Sequence, residues 1–205
     1  MIVAYLQWTL VAVALVFWLL DRYSLRQLTV IWSTIFASGI IAAIPVGDIQ
    51  LFGFPWGILG QLSITSTILV MLYVYHHASG GKGSTSAGEL GYLLVVVSIW
   101  AIVFYPLALG VSMIDPNQWG YDAAELTGGL VLVSIYLWVR GLRTTAWIVV
   151  AGLVAHEIRL LESDNLWDYL FDPLLVIYAW SLGIRAGYRR LRTRTGKTGE
   201  TIHHT

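Results

Sequence analysis

Apolar runs about twenty residues long alternate along this chain with short polar connections. Seven can be drawn: Met1–Leu20, Gln27–Gly47, Leu51–Tyr75, Gly91–Ile114, Ala123–Val139, Thr144–Leu161 and Leu166–Ile184. A hydrocarbon core of about 30 Å, at 1.5 Å per helical residue, needs about 20 residues per crossing, so each run reads as a membrane-spanning helix. The expected fold is an all-α integral membrane protein, a bundle of about seven transmembrane helices. Met1–Leu20 has no basic start, and no small-residue cleavage site follows it before Asp21, so it reads as a retained first span rather than a secretory signal.

The polar connections orient the pattern. Eleven of the twelve Lys/Arg residues fall in every second connection: Arg22 and Arg26, Lys82, Arg140 and Arg143, and a tail running from Arg185 to Lys197. The intervening connections carry nine of the twelve acids: Asp48; Asp115, Asp122 and Glu125; and Glu157, Glu162, Asp164, Asp168 and Asp172, with Arg159 as the basic exception. The positive-inside rule then puts the N-terminus outside and the C-terminus in the cytoplasm. Residues 1–191 read as a single polytopic transmembrane domain and 192–205 as a basic polar cytoplasmic tail. The localisation expected is the plasma membrane, multi-pass, which is the inner membrane if the source is bacterial.

Composition agrees with that class: 57% of residues are hydrophobic and 12% charged, about half the charged share of a soluble domain. There is no cysteine, which excludes disulfides, thiolate metal sites, iron–sulfur clusters and cysteine nucleophiles. The lysines, Lys82 and Lys197, both lie in cytoplasmic segments, so no retinal Schiff base is available. No pair of histidines on facing spans supplies haem ligation. The Gly/Ser-rich stretch Ala78–Gly88 reads as a linker: its GGKGSTS text lacks the glycine spacing of a phosphate loop, and Ser/Thr does not follow its lysine.

Several polar residues have structural readings. Asp115-Pro116 and Asp172-Pro173 place an N-cap before a proline suited to the first helical position. Asp122 and Glu125 have capping-box spacing, and Asn165 with Asp168 has it too. Ser63, Ser66 and Thr67 lie largely on one side of the third span and are expected to hydrogen-bond neighbouring helices, while Ala151, Gly152 and Ala155 permit close packing of the sixth. Pro106 is expected to kink the fourth span. Phe52, Phe54, Trp56, Trp119, Tyr121, Trp167, Tyr169 and Phe171 are expected to anchor the external boundary.

The sixth span is the anomaly. Only twelve uncharged residues, Thr144–Ala155, precede His156-Glu157-Ile158-Arg159. Charges at a helix centre cost about 2.5–3.5 kcal/mol each, so such groups are expected to face protein or water and to pair. The candidate catalytic residues are His156, Glu157, Arg159 and Asp168. The candidate metal ligands are His156, Glu157, Asp168 and Asp172, which together could hold a divalent metal such as zinc or manganese and activate water. Arg159, paired with Glu162 or Asp168, could instead hold a lipid phosphate. Set against these is a purely structural network of caps and salt bridges. HEIRL at His156–Leu160 lacks the second histidine of a zinc-protease helix.

The function expected is therefore an accessory or scaffold subunit of a membrane or envelope complex with an outward acidic rim. Its partners would be the lipid bilayer and other membrane or envelope proteins, with no nucleic acid. The alternatives are a membrane-embedded, metal-assisted hydrolase or transferase acting on a lipid-linked substrate at the outer face, and a small cation- or proton-coupled transporter.

Overall fold

A computed structural model describes residues 2–22, 45–46, 49–50, 60–79, 87–121 and 123–200. These form seven α-helices, namely α1 (Ile2–Arg22), α2 (Ile64–Ala78), α3 (Ala87–Ala108), α4 (Ala123–Val139), α5 (Arg143–Glu157), α6 (Leu166–Leu170) and α7 (Pro173–Glu200). A 3-10 turn covers Gln118–Gly120, and two residue pairs, Pro45 with Gln50 and Val46 with Ile49, make a minimal antiparallel ladder of β1 (Pro45–Val46) and β2 (Ile49–Gln50). The expected all-helical class is observed. Of the second expected span only Pro45 and Val46 are described, as strand β1 rather than helix; its other residues lie outside the described residues, as do 51–59 of the third, the linker from Gly80 to Ser86, and Asp122.

Helices α1 and α3 are long and apolar enough to cross a membrane. Only 28% of the apolar window in α1 and 17% of that in α3 is buried, far less than a core helix of a soluble domain requires, and this supports membrane association. Helix α4 has 17 residues and α2 and α5 have 15 each, so these lengths do not by themselves establish seven spans.

The helices run in a definite sense. Gln7 of α1 reaches Thr67 of α2, and ten residues further along both helices Phe17 lies against His77, with ring centroids 6.3 Å apart. Helices α1 and α2 are therefore parallel. Phe104 packs on Phe171 while Trp180 Nε1 points at the Ser98 carbonyl, so α3 and α7 are antiparallel. The α4–α5 hairpin brings Trp138 and Trp147 edge to face. Near the centre of the body α5 contacts α2, α3, α4 and α6, and it buries Thr145, Ala146, Ile148, Gly152, Leu153 and Ala155. A Cβ on Gly152 would stand 2.9 Å from Leu170 Cδ2, so the small residue is what admits α6, as the sequence implied.

One end of this body gathers the C-termini of α3 and α5 and the N-termini of α2, α4, α6 and α7. Glu125, Glu157, Glu162, Asp164, Asp168 and Asp172 all belong to it, whereas Arg140 and Arg143 lie at the opposite end, over the rings of Tyr136 and Trp138. The charge separation read along the chain is thus also a separation in space.

Three helices stop in the same way. At α3, α4 and α5 the chain turns through a left-handed residue, and the next amide bonds back across the last turn: Val111 N–H to Pro106 O, Leu142 N–H to Leu137 O, and Leu160 N–H to Ala155 O. Gly110 and Gly141 occupy the first two left-handed positions (φ 84° and 80°) and Arg159 the third (φ 50°). Glycine adopts this conformation freely, while a residue with a Cβ gives up roughly 1–2 kcal/mol. Pro106 stands in the last turn of α3.

The expected seventh span is divided. Phe171 and Asp172 are extended or non-helical between α6 and α7, because a residue before proline is disfavoured in helical geometry. The backbone of α7 continues to Glu200, past the expected tail boundary at residue 192. Trp167, Tyr169 and Phe171, expected as boundary anchors, are instead buried. With Trp100, Phe104 and Tyr105 most of these rings build one aromatic cluster. Trp119 and Tyr121 are exposed, and Phe52, Phe54 and Trp56 lie outside the described residues.

Candidate functional site

At the acidic end a cleft of about 540 Å³ opens between the last turns of α3, the segment before α2 and the α5–α7 connection. Its position follows from where the helices stop. Leu109 and Gly110 end α3, the loop Leu160–Asn165 ends α5, and Asp172-Pro173 starts α7, so three chain reversals surround one space.

Asp172 organises the inner wall. Its Oδ1 accepts the Leu175 N–H at 2.8 Å and so caps α7, as the Asp-Pro pair implied. Its Oδ2 accepts the Ser63 N–H at 2.9 Å and the Ser66 hydroxyl at 2.5 Å. One carboxylate therefore sits at the N-termini of two helices, where both backbone dipoles favour negative charge. Ser63 itself caps α2 by accepting the Ser66 N–H at 3.1 Å. A few residues away, Gln7 donates to Leu62 O and Thr67 Oγ1 and accepts the Leu62 N–H, so α1 is tied to the same corner.

Asp168 lies on the outer lip. It is exposed, and its Oδ2 accepts the Ser163 hydroxyl at 2.5 Å while Ser163 Oγ accepts the Asn165 N–H at 3.0 Å. The expected capping spacing is thus used, with Ser163 as an intermediary. Asn165 is buried and caps α6 through the Trp167 N–H. Its amide also donates to Asn117 Oδ1 at 2.8 Å and to the Asn117 carbonyl, and Trp167 Nε1 donates to Pro116 O. The loop after α3 and the loop after α5 are clamped together, and Gly120 lets them approach, since a Cβ there would overlap Asn165 Oδ1. Asp115 starts this turn by accepting the Asn117 N–H.

His156 points elsewhere. Its Nε2 lies 3.3 Å from the Asp164 carbonyl oxygen, an acceptor that selects the Nε2-protonated tautomer, and its ring meets Tyr169 edge to face at 5.1 Å. Nδ1 is buried with no hydrogen-bond partner among the described residues. Tyr169 exchanges hydrogen bonds with Leu161 and donates to Ser163 O.

The expected constellation is therefore dispersed. Asp172 is turned to helix caps, Asp168 to Ser163, and His156 to a carbonyl, while Glu157 is exposed at the end of α5. Among the described residues no three His, Asp or Glu side chains form a set that could hold a metal ion. Arg159, expected inside an acidic network, is exposed and takes a left-handed backbone conformation.

Sequence reading passed over Gln7, Glu89, Tyr105 and Asn117. Glu89 accepts the Thr145 N–H at 2.9 Å and caps α5 from another helix, a contact between residues 56 apart. Gln7 did carry a signal, as a lone amide in an apolar run, because such a group must find partners away from water. No family model, curated protein or solved structure matches this chain.

Proposed function

We propose that this chain is a seven-span, multi-pass protein of the plasma membrane that serves as an accessory or scaffold subunit, presenting its acidic rim outward to a partner. The parallel α1 and α2 support the span count: the intervening residues must bring the chain back to its starting end, which is what a crossing by Gln27–Gly47 would do. Large apolar side chains exposed along α3 and α4, such as Ile99, Ile102, Leu132 and Ile135, suit contact with lipid or with other spans.

The commitment of the acids carries the scaffold reading. Asp172 and Asp168, together with Asn165, bind helix termini and loops to one another instead of converging with His156 on a reacting centre. A transport route would need polar groups joined from end to end. Ser98 and Ser134, which lie between the ends, donate to carbonyls of their own helices, at Leu94 and Leu130.

The test is assembly in native membranes. Tagged wild-type protein, crosslinked before gentle extraction, should run well above the 22.8 kDa of one chain. Replacing the exposed Glu125, Glu157 and Asp164 together with Lys should release it while its thermal melt is preserved. Wild-type protein found alone, or a charge-reversed variant that stays assembled, would contradict the scaffold role.

A further inference from the structure

On the α4–α5 hairpin, at the end opposite the acidic rim, a groove of about 230 Å³ runs between the two helices. Ile135, Trp138 and Val139 of α4 line it with Ala146, Trp147 and Val150 of α5, and no charged side chain is in the lining. Ser134 adds a polar atom only in name, because its hydroxyl is spent on the Leu130 carbonyl. The groove therefore offers a ligand hydrocarbon alone. Ile135, Trp138, Val139 and Trp147 are exposed, so it opens to the outside of the helical body. Between Ser134 and Val139 it extends about 8 Å at 1.5 Å per residue, enough for a segment of one alkyl chain.

One end of the groove carries charge. Arg143 Cζ stands 5.6 Å from the centroid of Trp138, a ring that is itself a groove wall. Arg143, Trp147 and Val150 are spaced i, i+4 and i+7, so the cation and two lining residues share a face of α5. Across the Gly141-Leu142 turn, Arg140 Cζ lies 5.9 Å from the centroid of Tyr136. Stacking engages the face of a guanidinium and leaves its N–H edge for bidentate bonding to an oxyanion. Glu89 also lies at this end, but it accepts the N–H of the buried Thr145, on the opposite face of α5 from Arg143. An apolar slot that ends at two oriented cations, beside indole rings of the kind that settle at a membrane boundary, matches an amphiphile with an anionic head.

We infer that the α4–α5 groove seats an anionic phospholipid: Arg143 binds its phosphate, Arg140 adds a second positive charge, and the upper part of one acyl chain lies along Trp138 and Trp147. A helix of a partner would cover the same hydrocarbon without using the cations at its end. A zwitterionic lipid would gain less from them. The inference rests on the membrane reading proposed above, in that the hairpin must lie in a bilayer, but it requires nothing of the acidic rim.

The experiment uses the full chain, purified in an uncharged maltoside detergent, titrated with dioleoyl phosphatidylglycerol or dioleoyl phosphatidylcholine, and read by native mass spectrometry. Because the isolated chain is measured, loss of the scaffold role would leave the result unchanged. Phosphatidylglycerol is expected to be retained about tenfold more tightly than phosphatidylcholine, and Arg143→Gln should remove most of that preference. Arg140→Gln gives a second charge variant, with a smaller loss, should Arg143→Gln not fold. Ile135→Trp, at an exposed position, should fill the groove and weaken retention of both lipids. Equal retention of the two lipids, wild-type preference in both arginine variants, or unaltered binding in Ile135→Trp overturns the proposal. So does failure of phosphatidylglycerol to bind; a crosslinked wild-type oligomer that Ile135→Trp abolishes would then make the groove a helix–helix interface.

Discussion

Asp172 Oδ2 accepts the backbone N–H of Ser63 at 2.9 Å, across 109 residues of sequence. The same carboxylate caps α7, so the starts of α2 and α7 are held at one point and the acidic end is built around it. Substituting Asp172→Ala would strand the Ser63 and Leu175 amides and the Ser66 hydroxyl in a buried corner. Hydrogen bonds to charged groups contribute about 1.5–3 kcal/mol each and are not additive, so a loss of about 3 kcal/mol is expected. Asp172→Asn should lose roughly half as much, since one oxygen acceptor remains. Thermal melting in detergent reads both, and an unchanged midpoint for the alanine variant would show that Asp172 is not the joint described here.

Arg159 occupies a left-handed position that two other helix ends give to glycine. Arg159→Gly should stabilise the protein by about 1 kcal/mol through relief of the backbone, and Arg159→Ala should be close to neutral. The same melting assay decides. A clear loss of stability in both variants would restore the arginine to an acidic network.

Gly120 marks the closest approach of the two clamped loops. In Gly120→Ala the new methyl group would meet Asn165 Oδ1 and, at 2.7 Å, Trp167 Cδ1, so either the cap of α6 or the aromatic packing must yield. Overpacking of this kind costs about 1–3 kcal/mol. Trp167 should also report the shift by fluorescence; unaltered emission together with an unaltered melt would mean that the loops are free to separate.

The all-helical class and the charge asymmetry were legible because they rest on local composition: apolar runs, and the sign of each connection. The caps at Asn165 and Asp172 were legible for the same reason, each depending on a neighbour within three residues. Long-range geometry was not. The proline at 173 divides what hydropathy joins, and α6 turns Trp167, Tyr169 and Phe171 inward, although their spacing is equally that of an interfacial belt. The partners of Asp168, Asp172 and His156, namely Ser163, two helix N-termini and the Asp164 carbonyl, were not legible, because proximity in sequence says nothing about which helix end a side chain caps. Tyr105 joined the site only through the antiparallel packing of α3 and α7.

Orientation of the two ends is the central claim, since the outward rim, the partner surface and the cleft's exposure all depend on it. Reporter fusions after Lys82, after Gln118 and after Arg194 measure it directly. Cytoplasmic activity at the first and third sites with external activity at Gln118 is the predicted result, from the bias that Lys and Arg impose on connections near a span. Opposite activities at Lys82 and Arg194, or a cytoplasmic reading at Gln118, would contradict the seven-span account.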